Sequence, residues 1–588
     1  MKKKFNINYI KTLTKITRII YDVDKRYIYS VMSIVIVTSL IPAASLKIMQ
    51  EIINMIQTSI QDLKEIFILI IAYLSLGLFE TIIQTVWGYY KSKFAFNFNL
   101  IIKREILQKA SRLQLQDFEK SELYNMIQRA EQQGEGGLLS YFDKALNVIG
   151  MLITSISYFI IVLSFKSWIV PLLIIIPIIR FMISNKINKE EFNMVKKRTD
   201  DERKAWYYSY IITCGINYKE LKLYDLFSHF IEKFNKLTQK FIKQDLGILQ
   251  KRLKYLIIFN IFEQLLIGGL FSYTIYCGYI GVILIGDVIT YTRAMISAKS
   301  EIQSVIMSFS ELNKSSMFIE QLFDFMELEE KNISGTIKID HIESITISHL
   351  SYKYHESDRY ALIDVNLSIK RGDFIAIVGR NGSGKSTLMK ILMGYYDEYE
   401  GEIFINNINL RDIEKDSYLK NIGALFQDFT KYEGTIRENV SYSNLNMINE
   451  DEKIYDVCRQ FELEKLVGEQ EKGIDTQLGF WFESGKQISF GQWQKVALSR
   501  TFMRNAELYF LDEPNAALDS ISEFEMAQLY KKVFKDKIGF VITHKFNNFI
   551  NNANKIIVLK DGRIVGDGNH ESLLAISEEY EQLYNLQI

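Results

Sequence analysis

Along the first half of the chain, apolar residues come in long runs. Along the second half they come in short bursts between turn residues. Six of the long runs approach the roughly 20 apolar residues that a membrane-crossing helix needs. They cover residues 27–49, 66–87, 145–165, 168–187, 255–280 and 282–307, with a very tight turn between the last two. The stretches 88–144 and 188–254 are too long for simple connectors and keep a helical period. They predict membrane helices that run on past the bilayer and turn back at short transverse helices, expected at 119–126 and 208–217. In the second half, residues 345–347, 367–369, 374–378, 508–511 and 541–543 read as strands of an α/β domain. The expected organisation is an amphipathic segment at 1–26, a six-helix membrane domain at 27–311, a linker at 312–343 and a second domain at 344–588. The predicted fold class is an α-helical membrane domain with six transmembrane helices fused to an α/β domain.

Charge orients this scheme. Basic residues crowd the N-terminal segment (Lys2, Lys3, Lys4, Lys11, Lys15, Arg18, Lys25, Arg26) and the loop after the second span (Lys91, Lys93, Lys103, Arg104, Lys109, Arg112, Lys120, Arg129). The turn between the third and fourth spans offers Lys166. The excess of Lys and Arg on one side predicts both termini in the cytoplasm. Residues 1–26 lack the apolar stretch and small-residue cleavage site of a signal peptide. They read instead as a basic helix on the inner membrane surface. Lys+Arg and Asp+Glu both number 70, so the net charge is 70 − 70 = 0 and nothing suggests a nucleic-acid partner. Cys214, Cys277 and Cys458 lack metal-ligand spacing and read as packing residues. Glu80, Glu263 and Arg293 fall in or near spans, where ionisable groups face a partner or a cavity. Contact with a polar substrate and pairing between helices are both open for them.

The densest chemistry lies at Gly379-Arg380-Asn381-Gly382-Ser383-Gly384-Lys385-Ser386-Thr387, which fits G-x-x-x-x-G-K-[ST] without mismatch. A β-type run precedes it and a helix start follows. That context lets backbone N–H groups and a helix N-terminus converge on phosphates. Gly379, Asn381, Gly382, Ser383, Gly384 and Thr387 are candidate phosphate contacts. Lys385 is expected to reach the β- and γ-phosphates, and Ser386 to place its hydroxyl on Mg²⁺. Tyr354 is a candidate for stacking on adenine, with Tyr352 as the competing choice. Gln427 ends a strand and is expected to sense Mg²⁺ and the γ-phosphate. Leu508 to Leu511 lead into Asp512 and Glu513. This places Asp512 beside Mg²⁺ and Glu513 where it polarises the attacking water. His544 follows the strand 541–543 and is the candidate γ-phosphate contact.

With these residues in order, the chain resembles the ATP-binding cassette (ABC) exporter half-transporters. The family signature Leu-Ser-Gly-Gly-Gln appears as Ile488-Ser489-Phe490-Gly491-Gln492, and Ala517-Leu518-Asp519 matches the loop after the catalytic acid. The resemblance implies a homodimer in which each ATP is held by Lys385 and Ser386 of one chain and by Ser489 and Gly491 of the other. Gln492 and Asp519 join the nucleotide site, and Gln427 couples it to the transverse helices. With Glu513 and His544 present, both sites are expected to hydrolyse ATP. Phe490 departs from the pattern. Bulk where the family has glycine predicts slower turnover, and Phe490→Gly is expected to raise it; the alternative is that the ring packs away from nucleotide.

A finer resemblance lies in residues 475–482, in Gly491-Gln492-Trp493-Gln494-Lys495, and in Leu425-Phe426-Gln427-Asp428-Phe429 followed by Lys431-Tyr432-Glu433. These stretches resemble the lanthipeptide (lantibiotic) exporters of Gram-positive bacteria, the nisin-exporter type. That implies export of a leader-bearing peptide across the bacterial cytoplasmic membrane, with peptide-modifying enzymes as further partners. Leader-cleaving relatives carry an N-terminal cysteine protease domain. The first span starts near Tyr27 and the first cysteine is Cys214, so no such domain is expected. A lipid flippase or multidrug exporter is the second reading, with Glu80 and Glu263 serving a cationic cargo. A non-transporting sensor is the third, disfavoured by Glu513 and His544.

Overall fold

The computed structural model describes all residues except 1–8, 59–62, 135, 331–334, 356, 516–519, 544–547 and 587–588. His544, Ala517, Leu518 and Asp519 therefore lie outside the described residues. Contacts divide the chain into two units: 1–112 with 120–329, and 113–119 with 330–588.

The first unit is helical. Helix α1 (Tyr9–Val23) is amphipathic, and Thr12, Ile16 and Ile20, four residues apart, form its buried stripe. That stripe packs against other helices of the unit, so protein covers it. The long helices are α2 (Lys25–Gln57), α3 (Leu63–Ser111), α6 (Gly137–Phe165), α7 (Ile169–Thr213), α9 (Phe227–Tyr279) and α10 (Ile285–Met326). At 1.5 Å per residue α9 is about 80 Å long, against a hydrocarbon core of about 30 Å. Five of them, α2, α3, α6, α7 and α9, are long and apolar enough to cross a membrane among the described residues. The sixth expected span falls on α10, whose Asp287, Arg293, Lys299 and Glu301 dilute its apolar run. Residues 312–326, expected as linker, continue α10.

The tight turn between α9 and α10 is a helix stop. Gly281 adopts φ +77°, and Val282 N donates to Cys277 O at 3.0 Å. Close helix crossing relies on small residues: a Cβ on Gly150 of α6 would lie 2.9 Å from the Ser39 hydroxyl of α2, and Thr154 Oγ1 donates to Ser39 O at 2.9 Å. The ionisable residues of the spans behave differently from one another. Glu80 accepts a hydrogen bond from Gln84 one turn on, at 3.0 Å. Arg293 is exposed and borders a cavity of about 270 Å³ with Tyr73 and Tyr158. Glu263 is buried and paired between helices.

Short helices fall close to, but not at, the places expected for the transverse helices. The first is α4 (Leu115–Phe118), because Asp117 caps the Gln114 N–H at 3.2 Å and starts a helix there. Residues 121–126 open α5 (Ser121–Gly134) instead. The second is a 3₁₀ turn at Gly215–Asn217 followed by α8 (Tyr218–Leu223), since α7 runs to Thr213. Apolar periodicity carries no signal for elements this short.

The second unit holds two sheets. Strands β1 (Ser344–Lys353), β2 (Tyr360–Lys370), β4 (Glu400–Ile405) and β5 (Ile408–Asn409) form an antiparallel sheet in the order β2-β1-β4-β5. The register pairs Ile345 with Ile369 and Ile347 with Leu367, so alternate residues share the buried face. The other sheet has the order β10-β9-β3-β8-β7-β6, from β3 (Phe374–Val378), β6 (Ile422–Leu425), β7 (Leu508–Asp512), β8 (Ile538–Ile542), β9 (Lys555–Lys560) and β10 (Arg563–Gly568). Its strands β9-β3-β8-β7-β6 run parallel, and β3 is buried along its whole length, as continuous apolar runs predict for a parallel centre. Helix α4 belongs to this unit although α3 and α5 belong to the other.

Candidate nucleotide site

The phosphate turn leaves β3 and enters α11 (Lys385–Leu392). Two of its glycines are required by space as well as by φ. A Cβ on Gly379 would lie 2.2 Å from Leu559 O, and one on Gly384, at φ +104°, would lie 2.6 Å from Ala361 O. Lys385 is buried and folds back, its ammonium donating to Gly379 O at 2.8 Å and Arg380 O at 3.0 Å. Burial holds the Lys385 ammonium below its usual pKa, and Asp512 and Glu513 oppose that shift. The Ser383 hydroxyl is buried and has no hydrogen-bond partner among the described residues. Asn381, Gly382 and Ser386 are exposed. Tyr354 Oη lies 3.0 Å from Thr387 Oγ1, and its ring sits edge-on against Tyr352 and Tyr396. Tyr352, the competing aromatic, is buried in the core, and burial pushes its phenol up to about 12.

Neighbouring strands bring the acids to the turn. Asp512 ends β7, and the Ser386 hydroxyl donates to its Oδ2 at 3.1 Å. Glu513 follows at φ +49°, a left-handed conformation that its N–H holds by donating to Ile542 O of β8 at 3.0 Å. Gln427, beyond β6, donates from Nε2 to Glu513 Oε2 at 3.2 Å. Thus Ser386 with Asp512, and Gln427 with Glu513, form two hydrogen-bonded pairs. Sequence reading missed one residue, the buried Gln494, whose Nε2 donates to Glu513 O at 3.1 Å. Its place in the run Gln492-Trp493-Gln494 gave no sign of that contact, which depends on a helix crossing a strand end.

The signature opens α12 (Phe490–Met503). Ser489 Oγ accepts from Gln492 N at 3.2 Å, and Gln492 Oε1 accepts from Ser489 N at 2.9 Å. Phe490 is the first helical residue and has no positive φ. Its ring packs 5.5 Å from Phe429 and lies under Lys431 Nζ at 5.0 Å. Ser489, Gly491 and Gln492 make no hydrogen bond with the phosphate turn among the described residues.

The site fits a nucleotide phosphate chain. Glycines keep the cradle open, the Ser383 oxygen lacks a partner among the described residues, and a buried ammonium stands at the helix start. Ser386, Asp512 and Gln427 are oxygen-bearing side chains of the kind a hard divalent cation takes alongside phosphate oxygens.

Fold and site define a membrane protein driven by a P-loop ATPase. A family model described as ABC transporter matches residues 362–516. The chain is 35% identical to the subtilin transport ATP-binding protein SpaT of Bacillus subtilis, over 99% of this chain and 95% of that one. It is 35% identical to the nisin transport ATP-binding protein NisT of Lactococcus lactis subsp. lactis, over 97% and 96%. An ATP-dependent lipid A-core flippase of Pasteurella multocida is 30% identical over 50% of each chain. The fold is shared with a bacterial Atm1-family ABC exporter with ATP bound, at TM-score 0.81 and 18% identity over 96% of this chain and 98% of that one. The chain belongs to the ABC transporters, as an exporter half-transporter that couples ATP hydrolysis to transport.

Proposed function

We propose that this protein exports a leader-bearing lanthipeptide precursor across the bacterial cytoplasmic membrane, as a homodimer with its termini and ATPase units in the cytoplasm. The observation that carries this reading is the extent of the likeness. The subtilin and nisin transport proteins match across nearly the whole chain, membrane half included, whereas the flippase matches over half of it. Cargo meets the membrane half, so likeness there bears on cargo.

In the proposed cycle, the phosphate turn binds ATP and Lys385 leaves its backbone carbonyls for the β- and γ-phosphates. Ser386, Asp512 and Gln427 would hold Mg²⁺, which when bound would supply positive charge to the phosphoryl oxygens. Glu513 accepts a proton from the attacking water, and Gln427 orients the Glu513 carboxylate until then. Tyr354 stacks on adenine. His544 contacts the γ-phosphate, and Asp519 shapes the loop beyond Glu513. Ser489, Gly491 and Gln492 complete the site of the partner subunit. The N-terminus of α12, which Ser489 and Gln492 cap, would meet that phosphate chain.

The test is ATP-dependent uptake of a lanthipeptide precursor into inverted vesicles holding the purified protein. Uptake is expected with the wild type and lost with Glu513→Gln. That variant should keep ATP binding while hydrolysis falls about 10²- to 10⁴-fold. Hydrolysis by the wild type without uptake of any precursor, together with transport of lipid or drugs, would overturn the peptide reading.

A further inference from the structure

Glu263, on α9, is 3% exposed and ties three helices together. On α10, Lys299 Nζ lies 3.1 Å from its Oε2 and Gln303 Nε2 donates to the same oxygen at 2.5 Å. On α7, Arg180 Nη1 lies 3.5 Å from Oε1. One acid therefore faces two cations, and the cluster carries 2 − 1 = +1. Arg180 spends one nitrogen, at long range, on Glu263. A guanidinium has five N–H donors in a fork suited to a carboxylate.

Arg180 and Gln303 also line a cavity of about 520 Å³ between the same three helices. That volume suits a small ligand or a short run of side chains. Tyr255, Leu256, Ile306, Met307 and Phe318 supply apolar wall. Two other acids on the wall are already matched: Glu191 with Arg252 at 2.8 Å, and Glu311 with Lys144 at 3.0 Å. Lys189, also on the wall, adds a further positive charge. The cavity thus joins an apolar wall to surplus positive charge among helices that include membrane-crossing candidates. Arg180 and Lys299 are largely covered, at 14% and 20% exposure, and positive charge within a span is costly unless a partner completes it.

We propose that this cavity is a cargo subsite that takes an acidic group of a peptide beside an apolar side chain. The proposal rests on the peptide-export reading and names the chemistry of the cargo. It also reverses the expectation that Glu263 serves a cationic cargo, since Arg180 and Lys299 already neutralise that acid.

The test uses the full-length protein in nanodiscs of phosphatidylcholine and phosphatidylglycerol. The probes are two fluorescent end-blocked peptides of Leu and Phe, one carrying Asp and the other Asn at the same positions. Anisotropy should show the Asp peptide binding at least about tenfold tighter, as charge-assisted hydrogen bonds imply. Arg180→Gln should erase that preference without changing affinity for the Asn peptide, and Arg180→Lys should retain part of it. Met307→Trp, which fills the cavity, should weaken both peptides and keeps the test alive if Arg180→Gln fails to fold. Equal affinities, absence of binding by either peptide, or a preference that survives Arg180→Gln would overturn the proposal. Precursor uptake without an Asp preference rejects the subsite and leaves peptide export standing. An Asp preference without uptake of any precursor does the reverse.

Discussion

Ser383 separates two tasks that the phosphate turn performs. Its hydroxyl is buried without a partner among the described residues, and a buried unsatisfied group costs about 1–3 kcal/mol. A turn built only to fold would not carry that cost. Ser383→Ala is therefore expected to raise the melting temperature of the nucleotide-free protein and to shrink the further rise that ATP produces. Differential scanning fluorimetry with and without ATP reads both. A fall in the nucleotide-free melting temperature would mean that the hydroxyl supports the turn itself. Lys385 follows the same logic from the other side. Gly379 O and Arg380 O take its N–H donors while burial still disfavours its charge, so it is held near the site at a cost that phosphate would relieve.

At the scale of elements, α12 decides what Phe490 does. The sequence expectation was that a bulky residue at a glycine position slows turnover. The structure gives Phe490 ordinary helical backbone and packs its ring on Phe429 and Lys431 of its own chain. Phe490→Gly is accordingly expected to leave ATP turnover unchanged. It should lower stability by roughly 1 kcal/mol, through helix propensity and the lost cation–π contact. Steady-state hydrolysis and a urea melt measure the two effects, and faster hydrolysis would reinstate the first expectation. The same contrast shows which elements the chain reveals. Strands β1, β2 and β3 were legible because burial on one face or on both writes a period of two or an unbroken apolar run. The phosphate turn was legible because its backbone geometry admits few residues. Helix α4 is set by one capping pair and the packing of Leu115 on the core, so its position was missed by a few residues. Gln494 was invisible because its function is a contact between distant parts of the chain.

At the scale of the whole molecule, the question is how hydrolysis in one unit becomes movement in the other. Helix α4 is where the chain leaves the helical unit, packs into the ATPase unit and returns. Its hold there is specific. The hydroxyl of the buried Tyr396 donates to Glu119 Oε1 at 2.6 Å, and Gln114 Nε2 donates to Asp397 Oδ2 at 3.3 Å. The Tyr396 ring also touches Tyr354, whose hydroxyl meets Thr387 beside the phosphate turn. A chain of contacts thus runs from the nucleotide side to the transverse helix within one unit. Tyr396→Phe keeps the ring and removes the bond to Glu119, a charge-assisted hydrogen bond worth about 1.5–3 kcal/mol. Cargo transported per ATP hydrolysed is expected to fall while basal hydrolysis persists, and Glu119→Gln should do the same more mildly. Both rates, measured on the same proteoliposomes, decide the matter. If transport and hydrolysis fall in proportion, Tyr396 serves only the folded core. If the ratio falls alone, the force that moves cargo passes through this tyrosine.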